Sequence, residues 1–375
     1  MVIIMYGCEE DDKNILSDLE DLPTPVLTSV TEVAGLGGTD ATIEGTGFST
    51  TPANNLITFG PSDNFGYQSV RANAATATSL TYTRPLISAI DAIVSTEVRV
   101  SRIDDKNPER SNGLNVDFLP LISVYAEGFV RPRAIAFDSD GVCYFVEFNH
   151  GNEVVIKKKT ATGYEDHAVF PSATYLRGEM EFDSEGTLWS GQIWDNLHYI
   201  PAGGGDPIDT GLGRSRGVSV DANDNVYFTF FDIQRLAPDG TVTTLLEGDD
   251  MLNSTVADGY LYWMIRGGAL YKAPITNDGI GAIELIVEPE GDYWSNSIVV
   301  DTDGNVYGTG GAEHGSPNAS NIYKIAPDGT ESIVYSLDAE SPWGLEFHGE
   351  YLYVTIQNDG RILQLYMAGA VGAGL

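Results

Sequence analysis

Positive charge is scarce in this chain. Lys and Arg number 20 against 54 Asp and Glu, a formal charge of −34 with an isoelectric point near 4.2. Such a field repels phosphate backbones and anionic lipid surfaces, so no nucleic-acid partner and no polybasic membrane clamp is expected. Cysteine is scarcer still: Cys8 and Cys143 lie in unrelated surroundings and cannot make a disulfide framework. No run approaches the roughly 18 apolar residues that cross a bilayer as a helix, and long helical patterns are missing. What is abundant points to turns and strands, with 42 Gly and 19 Tyr. A hydrophobic share of 42% is enough for a packed core and argues against global disorder. At 375 residues, about two or three domains are expected.

The N-terminus reads Met-Val-Ile-Ile-Met-Tyr-Gly before Cys8, then Glu9, Glu10, Asp11 and Asp12. A small residue before a cysteine, after an apolar stretch, resembles the lipobox of bacterial lipoproteins. The resemblance implies that Cys8 is acylated and that residues 1–22 are a signal remnant and acidic tether on a surface-exposed, outer-membrane protein. The apolar run is shorter than a usual signal core, as a start codon placed too far downstream would make it, and Tyr6 is bulky for its place.

Residues 23–118 alternate apolar and polar positions between Gly, Thr and Pro turns, the pattern of short antiparallel strands. Ala41-Thr42-Ile43-Glu44-Gly45-Thr46-Gly47-Phe48, followed by Asn55-Leu56-Ile57-Thr58-Phe59-Gly60, resembles the TIG (IPT) family of immunoglobulin-like domains. That implies a β-sandwich spacer.

From residue 119 to 367 the chain repeats itself. A turn anchor recurs at Asp138, Asp183, Asp221, Asp258, Asp301 and His348, in steps of 45, 38, 37, 43 and 47 residues. Units of this length with several short strands are propeller blades. The last unit ends after Arg361-Ile362-Leu363-Gln364-Leu365-Tyr366 without a fourth strand, and 121–126 matches the strand it lacks. The expected fold is therefore all-β: an N-terminal immunoglobulin-like sandwich, then a six-bladed propeller closed by strand 121–126, with 368–375 as a tail. Closure removes exposed sheet edges. The units resemble NHL-type repeats and, more distantly, the gluconolactonase/regucalcin-like propellers.

The Asp-x-Asp-Gly turns lack the twelve-residue loop and terminal carboxylate of an EF-hand, so Asp138, Asp140, Asp301 and Asp303 read as turn formers. Cys143 reads as a buried small hydrophobe, and Lys157, Lys158 and Lys159 as a solvated edge.

Positions just before each inner strand should converge on one mouth of the channel. Five residues before the anchors stand Arg133, Gly178, Arg216, Asn253, Asn296 and Trp343; four before stand Ala134, Glu179, Gly217, Ser254, Ser297 and Gly344. Loops opening on that face carry Glu147, His150, Trp194, Asp195, Arg266 and His314. Arg131, Arg133, Arg177, Arg214, Arg216 and Arg266 gather there, a pattern suited to bidentate recognition of carboxylate or sulfate. Trp194, Trp294 and Trp343 offer flat faces to sugar rings. The alternative is that these arginines pair with Glu147, Glu179 and Asp195 to hold blades together.

The lactonase resemblance implies one divalent ion held at this mouth by Glu, Asn and Asp. Asn253 matches the Asn ligand, Asn296 replaces the carboxylate that should act as ligand and base, and Val130-Arg131-Pro132-Arg133 stands where the family has Glu-Gly-Pro. With both carboxylates gone, metal affinity and a general base should be lacking. Glu179 with His150 or His314 is the remaining catalytic and metal-site candidate, and His314 is also the candidate under a similarity to streptogramin-lyase-like propellers. The reading is a monomeric envelope lipoprotein whose channel mouth binds a polar or anionic glycan, or a partner protein, at Arg133, Arg177, Arg216, Asn253, Arg266, Asn296, Trp194 and Trp343. No cofactor is expected. A Ca, Mg or Zn ion belongs only to the alternative, a metal-dependent lactonase or lyase.

Overall fold

In the computed structural model the described residues are 22–31, 34–35, 37–60, 67–85, 93–106, 108–148, 153–170, 179–192, 195–248, 251–266, 268–288, 295–310, 321–336, 341–367 and 370–373. Cys8, His150, Arg177, Trp194, Trp294 and His314 lie outside them. The chain divides into two compact units between Ser123 and Val124.

The first unit is a β-sandwich. One sheet orders its strands Val26–Val30, Asp40–Thr46, Ser79–Thr83 and Ala74–Ala75; the other orders Ala34–Gly35, Leu114–Phe118, Val94–Arg102, Asn55–Phe59 and Gln68–Arg71. Alternate residues such as Ile43, Ile57, Leu80, Val98 and Val116 meet in one core, as the period of two along each strand requires. The Gly-Thr-Gly-Phe stretch has local causes. A Cβ on Gly45 would overlap the Val26 carbonyl, and Gly47 has a φ of +78°, while Phe48 fills the core. Asn55 is fully buried, and its side chain closes the preceding loop by accepting from Ser49 N–H (2.9 Å) and donating to Ser49 O (2.8 Å).

The second unit is a six-bladed propeller, each blade a sheet of at least four strands running from the channel outward. Blade 1 comprises Ile135–Phe137, Cys143–Phe148, Val154–Thr160 and Gly163–Phe170. Blade 2 comprises Met180–Phe182, Leu188–Ser190, Asn196–Ile200 and Ile208–Arg214, and blade 3 Gly217–Val220, Val226–Thr229, Ile233–Leu236 and Val242–Leu246. Blade 4 is Met251–Ala257, Tyr260–Ile265, Leu270–Thr276 and Glu284–Val287, with the short Gly279–Ile280 beside it; blade 5 is Ser295–Val300, Val306–Gly310, Asn321–Ile325 and Glu331–Ser336. Blade 6 takes Pro342–His348, Tyr351–Ile356 and Arg361–Tyr366 from the end of the chain and Ile122–Glu127 from the start of the propeller segment, the closure expected from the missing fourth strand. Each inner strand touches the next, and that of blade 6 touches that of blade 1. The ring is complete.

The repeated aspartate is a clamp. Asp301 Oδ1 accepts from the backbone N–H of Asp303 (3.0 Å) and Asn305 (2.9 Å), and Oδ2 accepts from the Tyr307 hydroxyl (2.9 Å). Asp138 holds Tyr144, Asp183 holds Trp189 and Asp221 holds Tyr227 in the same way. One carboxylate thus satisfies the turn and ties it to an aromatic residue six positions on, local side-chain bonding that favours turns over sheet. This is why the anchor recurs, and it leaves these carboxylates engaged in turn structure. Cys143 is buried, and desolvation pushes its thiol up to about 12. The three lysines do not form an edge: their strand pairs on both sides within blade 1, Lys157 reaches Asp166 at 2.6 Å, and Lys159 lies 3.6 Å over the Tyr125 ring.

Candidate functional site

The inner strands begin at one end of the channel and finish at the turns at the other. At the beginning, hydroxyls stitch neighbouring blades. Thr355 Oγ1 accepts from Gly344 N–H (2.8 Å) and donates to the Arg133 carbonyl, joining blades 6 and 1. Thr309 Oγ1 accepts from Asn296 N–H (3.2 Å) and donates to the Trp343 carbonyl (3.3 Å), joining blades 5 and 6. Blade 3 repeats the first half, with Gly217 N–H donating to Thr229 Oγ1 (3.1 Å). Glycine is needed at Gly217 because a Cβ would come within 2.6 Å of Ser254 N in the next blade.

Inside the ring lies a cavity of about 230 Å³ whose lining includes Glu179, Glu181, Asn296, Ser297, Trp343 and Glu346. Its turn end is covered by Val371, Gly372 and Ala373, which run along the end of the blade 5 inner strand: Thr302 N–H donates to Val371 O (2.8 Å) and Ala373 N–H to Val300 O (2.9 Å). The tail thereby adds a floor.

Glu179 crosses the channel. From blade 2, its Oε1 accepts from Ser297 Oγ (3.0 Å) and Ile298 N–H (3.2 Å) in blade 5, on the opposite side of the ring. Oε2 is buried, and the backbone N–H of Val218 in blade 3 also faces this carboxyl group. Desolvation, outweighing these bonds, raises its carboxyl to about 8. Glu181, two residues on, is likewise raised to about 8 by burial. Glu346 in blade 6 is raised well above the usual carboxyl value, first by burial and then by the charges of Glu181 and Glu179. Three carboxyl groups that resist ionisation therefore line one small cavity. Such neighbours titrate as a set, sharing protons among them.

The arginines fall into two classes. Arg133 and Arg216 are buried; the Arg133 guanidinium sits between the rings of Phe148 (4.1 Å) and Trp343 (4.5 Å), packing blade 1 against blade 6 as a cation–π staple. Arg131, Arg214 and Arg266 are exposed. Glu147 engages Val130 N–H (2.9 Å) and Lys157 (3.5 Å). Asn253 and Asn296 are both buried at the mouth; Asn296 Nδ2 faces the Pro342 carbonyl at 3.5 Å, and its Oδ1 has no donor. Of the expected site residues, Glu179, Asn296 and Trp343 line one cavity. Arg266 is not among its lining residues. Among the described residues no three His, Cys, Asp or Glu side chains are grouped so as to hold a metal ion.

Glu181 and Glu346 were not singled out in the sequence. Both stand two residues before their anchors, where the other blades carry Ala136, Ser219, Val256 and Val299. A glutamate inside an apolar inner strand was the signal.

No protein-family model matches the chain, and no curated protein matches it. Solved structures do. A protein of unknown function from Bacteroides thetaiotaomicron VPI-5482 is 14% identical with a TM-score of 0.51, over 92% of this chain and 98% of that one. A protein described as an auxiliary nutrient binding protein from Bacteroides ovatus ATCC 8483 is 10% identical with a TM-score of 0.51, over 92% and 98%. A second auxiliary nutrient binding protein, from Bacteroides thetaiotaomicron VPI-5482, is 12% identical with a TM-score of 0.51, over 94% of this chain and 100% of that one. At these identities the likeness is one of fold: the chain shares with them a common all-β architecture along nearly its whole length.

Proposed function

We propose that this chain is a ligand-binding protein of the bacterial cell envelope, tethered through Cys8, whose propeller takes a polar ligand into the loop end of its channel. The observation that carries this reading is the cavity itself, where Asn296 Oδ1 is a buried acceptor with no donor. Buried polar atoms are nearly always hydrogen-bonded, and leaving one unsatisfied costs about 1–3 kcal/mol. A ligand bringing donors into the cavity would remove that cost. The two fold relatives described as nutrient binding proteins support the same class of work. The ligand is a glycan or a segment of a partner protein. The carboxyl groups favour a neutral or donor-rich group in the cavity over the acidic glycan that the arginine pattern alone suggests.

Calorimetry against a panel of neutral, acidic and amino saccharides and envelope-derived peptides tests the reading, with Asn296→Ala as the control variant. At least one compound should bind the parent chain and bind the variant several-fold more weakly. Equal binding to both, or none to either, would dismiss the channel as the site.

A further inference from the structure

We propose that the group this cavity accepts is an aliphatic ammonium, either that of a small free amine or the end of a lysine side chain. The proposal rests on the ligand-binding reading above and names the chemistry of the same site.

Four observations bear on it. Glu179, Glu181 and Glu346 all line the cavity, so its chemistry is dominated by carboxyl oxygens. Asn296, only 2% exposed, adds a carbonyl oxygen without a donor. A bare metal ion would need several of these groups around one point, and no such grouping exists among the described residues. The cavity, about 230 Å³ and floored by Val371–Ala373, is smaller than a usual drug-sized pocket of about 300–1,000 Å³. A group that carries its own hydrogens, positive charge and a slim apolar stem fits these conditions. An ammonium has three donors and no acceptor, and Trp343 and Leu345 supply apolar lining for the stem.

The charged groups around the carboxyls can be named blade by blade. Blade 2 contributes Glu179 and Glu181, and blade 6 contributes Glu346 with His348 at the turn end of the lining. Arg133 of blade 1 and Arg216 of blade 3 lie buried at the mouth positions, the former against Trp343. The blade 4 and blade 5 segments of the lining, Thr255–Ala257 and Asn296–Val300, carry no charge. Glu179 and Glu181 hold their protons to about pH 8, so an incoming ammonium must displace one. Binding should release protons and strengthen as pH rises from 6 to 9, then fall as the amine itself loses its charge near the ordinary lysine value of about 10.4.

The test is calorimetry of the whole chain with n-butylamine, N-acetyl-lysine methylamide and n-butanol, at pH 6, 7.5 and 9 and in two buffers of different ionisation enthalpy. The amines should bind, n-butanol should not, and the buffer dependence should report proton release. Glu346→Gln should weaken amine binding about ten- to a hundredfold, as loss of a charged hydrogen bond does. Glu346→Asp keeps the charge and guards against a simple folding defect, so it should retain part of the affinity. Preference for n-butylamine or for the lysine derivative separates the two sources. If a neutral saccharide binds and neither amine does, this inference is overturned while the ligand-binding reading stands. Binding of n-butanol equal to that of n-butylamine, or amine binding untouched in Glu346→Gln, also overturns it. If nothing binds, both fall.

Discussion

Replacing Glu181 by glutamine should stabilise this protein at neutral pH and leave it unchanged in acid. Burial raises the folded-state pKa of Glu181 to about 8, whereas in the unfolded chain a glutamate titrates near 4.3. The folded state therefore keeps a proton that the unfolded chain has lost. The stability contributed is complete below the unfolded value and drains away as pH climbs towards 8. Between pH 5 and 7.5, at about 1.4 kcal/mol per pH unit, the loss is at most about 3 kcal/mol for one carboxyl group, and smaller to the extent that Glu346 shares the proton. Glutamine has nearly the same shape and no proton to lose. At pH 7.5 the variant's advantage should exceed its advantage at pH 5 by up to that amount, which for a domain of this size is about 6–12 °C in Tm; below about pH 4 the two should coincide. Differential scanning calorimetry at both values decides the matter. A variant equally shifted at pH 5 and 7.5, or less stable than the parent at 7.5, would refute the placement of this carboxyl in a desolvated channel.

Two further outcomes test the ring. Asp301→Ala leaves the buried Tyr307 hydroxyl and the turn amides without their acceptor, and should cost about 2–4 kcal/mol in denaturant unfolding. Asp140→Ala, at an exposed turn position, should stay within about 0.5 kcal/mol of the parent. Thr355→Val removes the hydroxyl that joins Gly344 and Arg133 across the closure. It should cost about 1–3 kcal/mol and speed hydrogen exchange at the amides of Gly344 and its neighbours while leaving blade 3 protected.

Much of the architecture was legible because its causes are local. In blades 1, 2, 3 and 5 the anchor aspartate, the turn behind it and the aromatic residue six positions later lie within eight residues, so those blades announce themselves. The missing fourth strand after Tyr366 and its match at 121–126 gave the closure. The site was harder, because the side chains that meet in the channel come from different blades. Counting back five and four residues from the anchors found Arg133, Trp343, Asn296 and Glu179, yet it could not show that Arg133 would be stacked between Phe148 and Trp343. Nor did it reveal Glu181 and Glu346, since an inner-strand residue can face the axis or the neighbouring blade, and blade packing decides which. The role of Val371–Ala373 was hidden as well: a Gly- and Ala-rich tail has no periodicity, and its backbone pairing depends on a partner strand 70 residues away.

Carbon-13 NMR of glutamate carboxyl groups, followed through a pH titration with and without n-butylamine, meets the central claim most directly. Glu179, Glu181 and Glu346, assigned by single Gln substitutions, should remain protonated well above pH 6, and at least one should shift when the amine is added. If every glutamate carboxyl titrates below about pH 5, in the ordinary range, and none responds to the amine, the channel is neither desolvated nor a binding site.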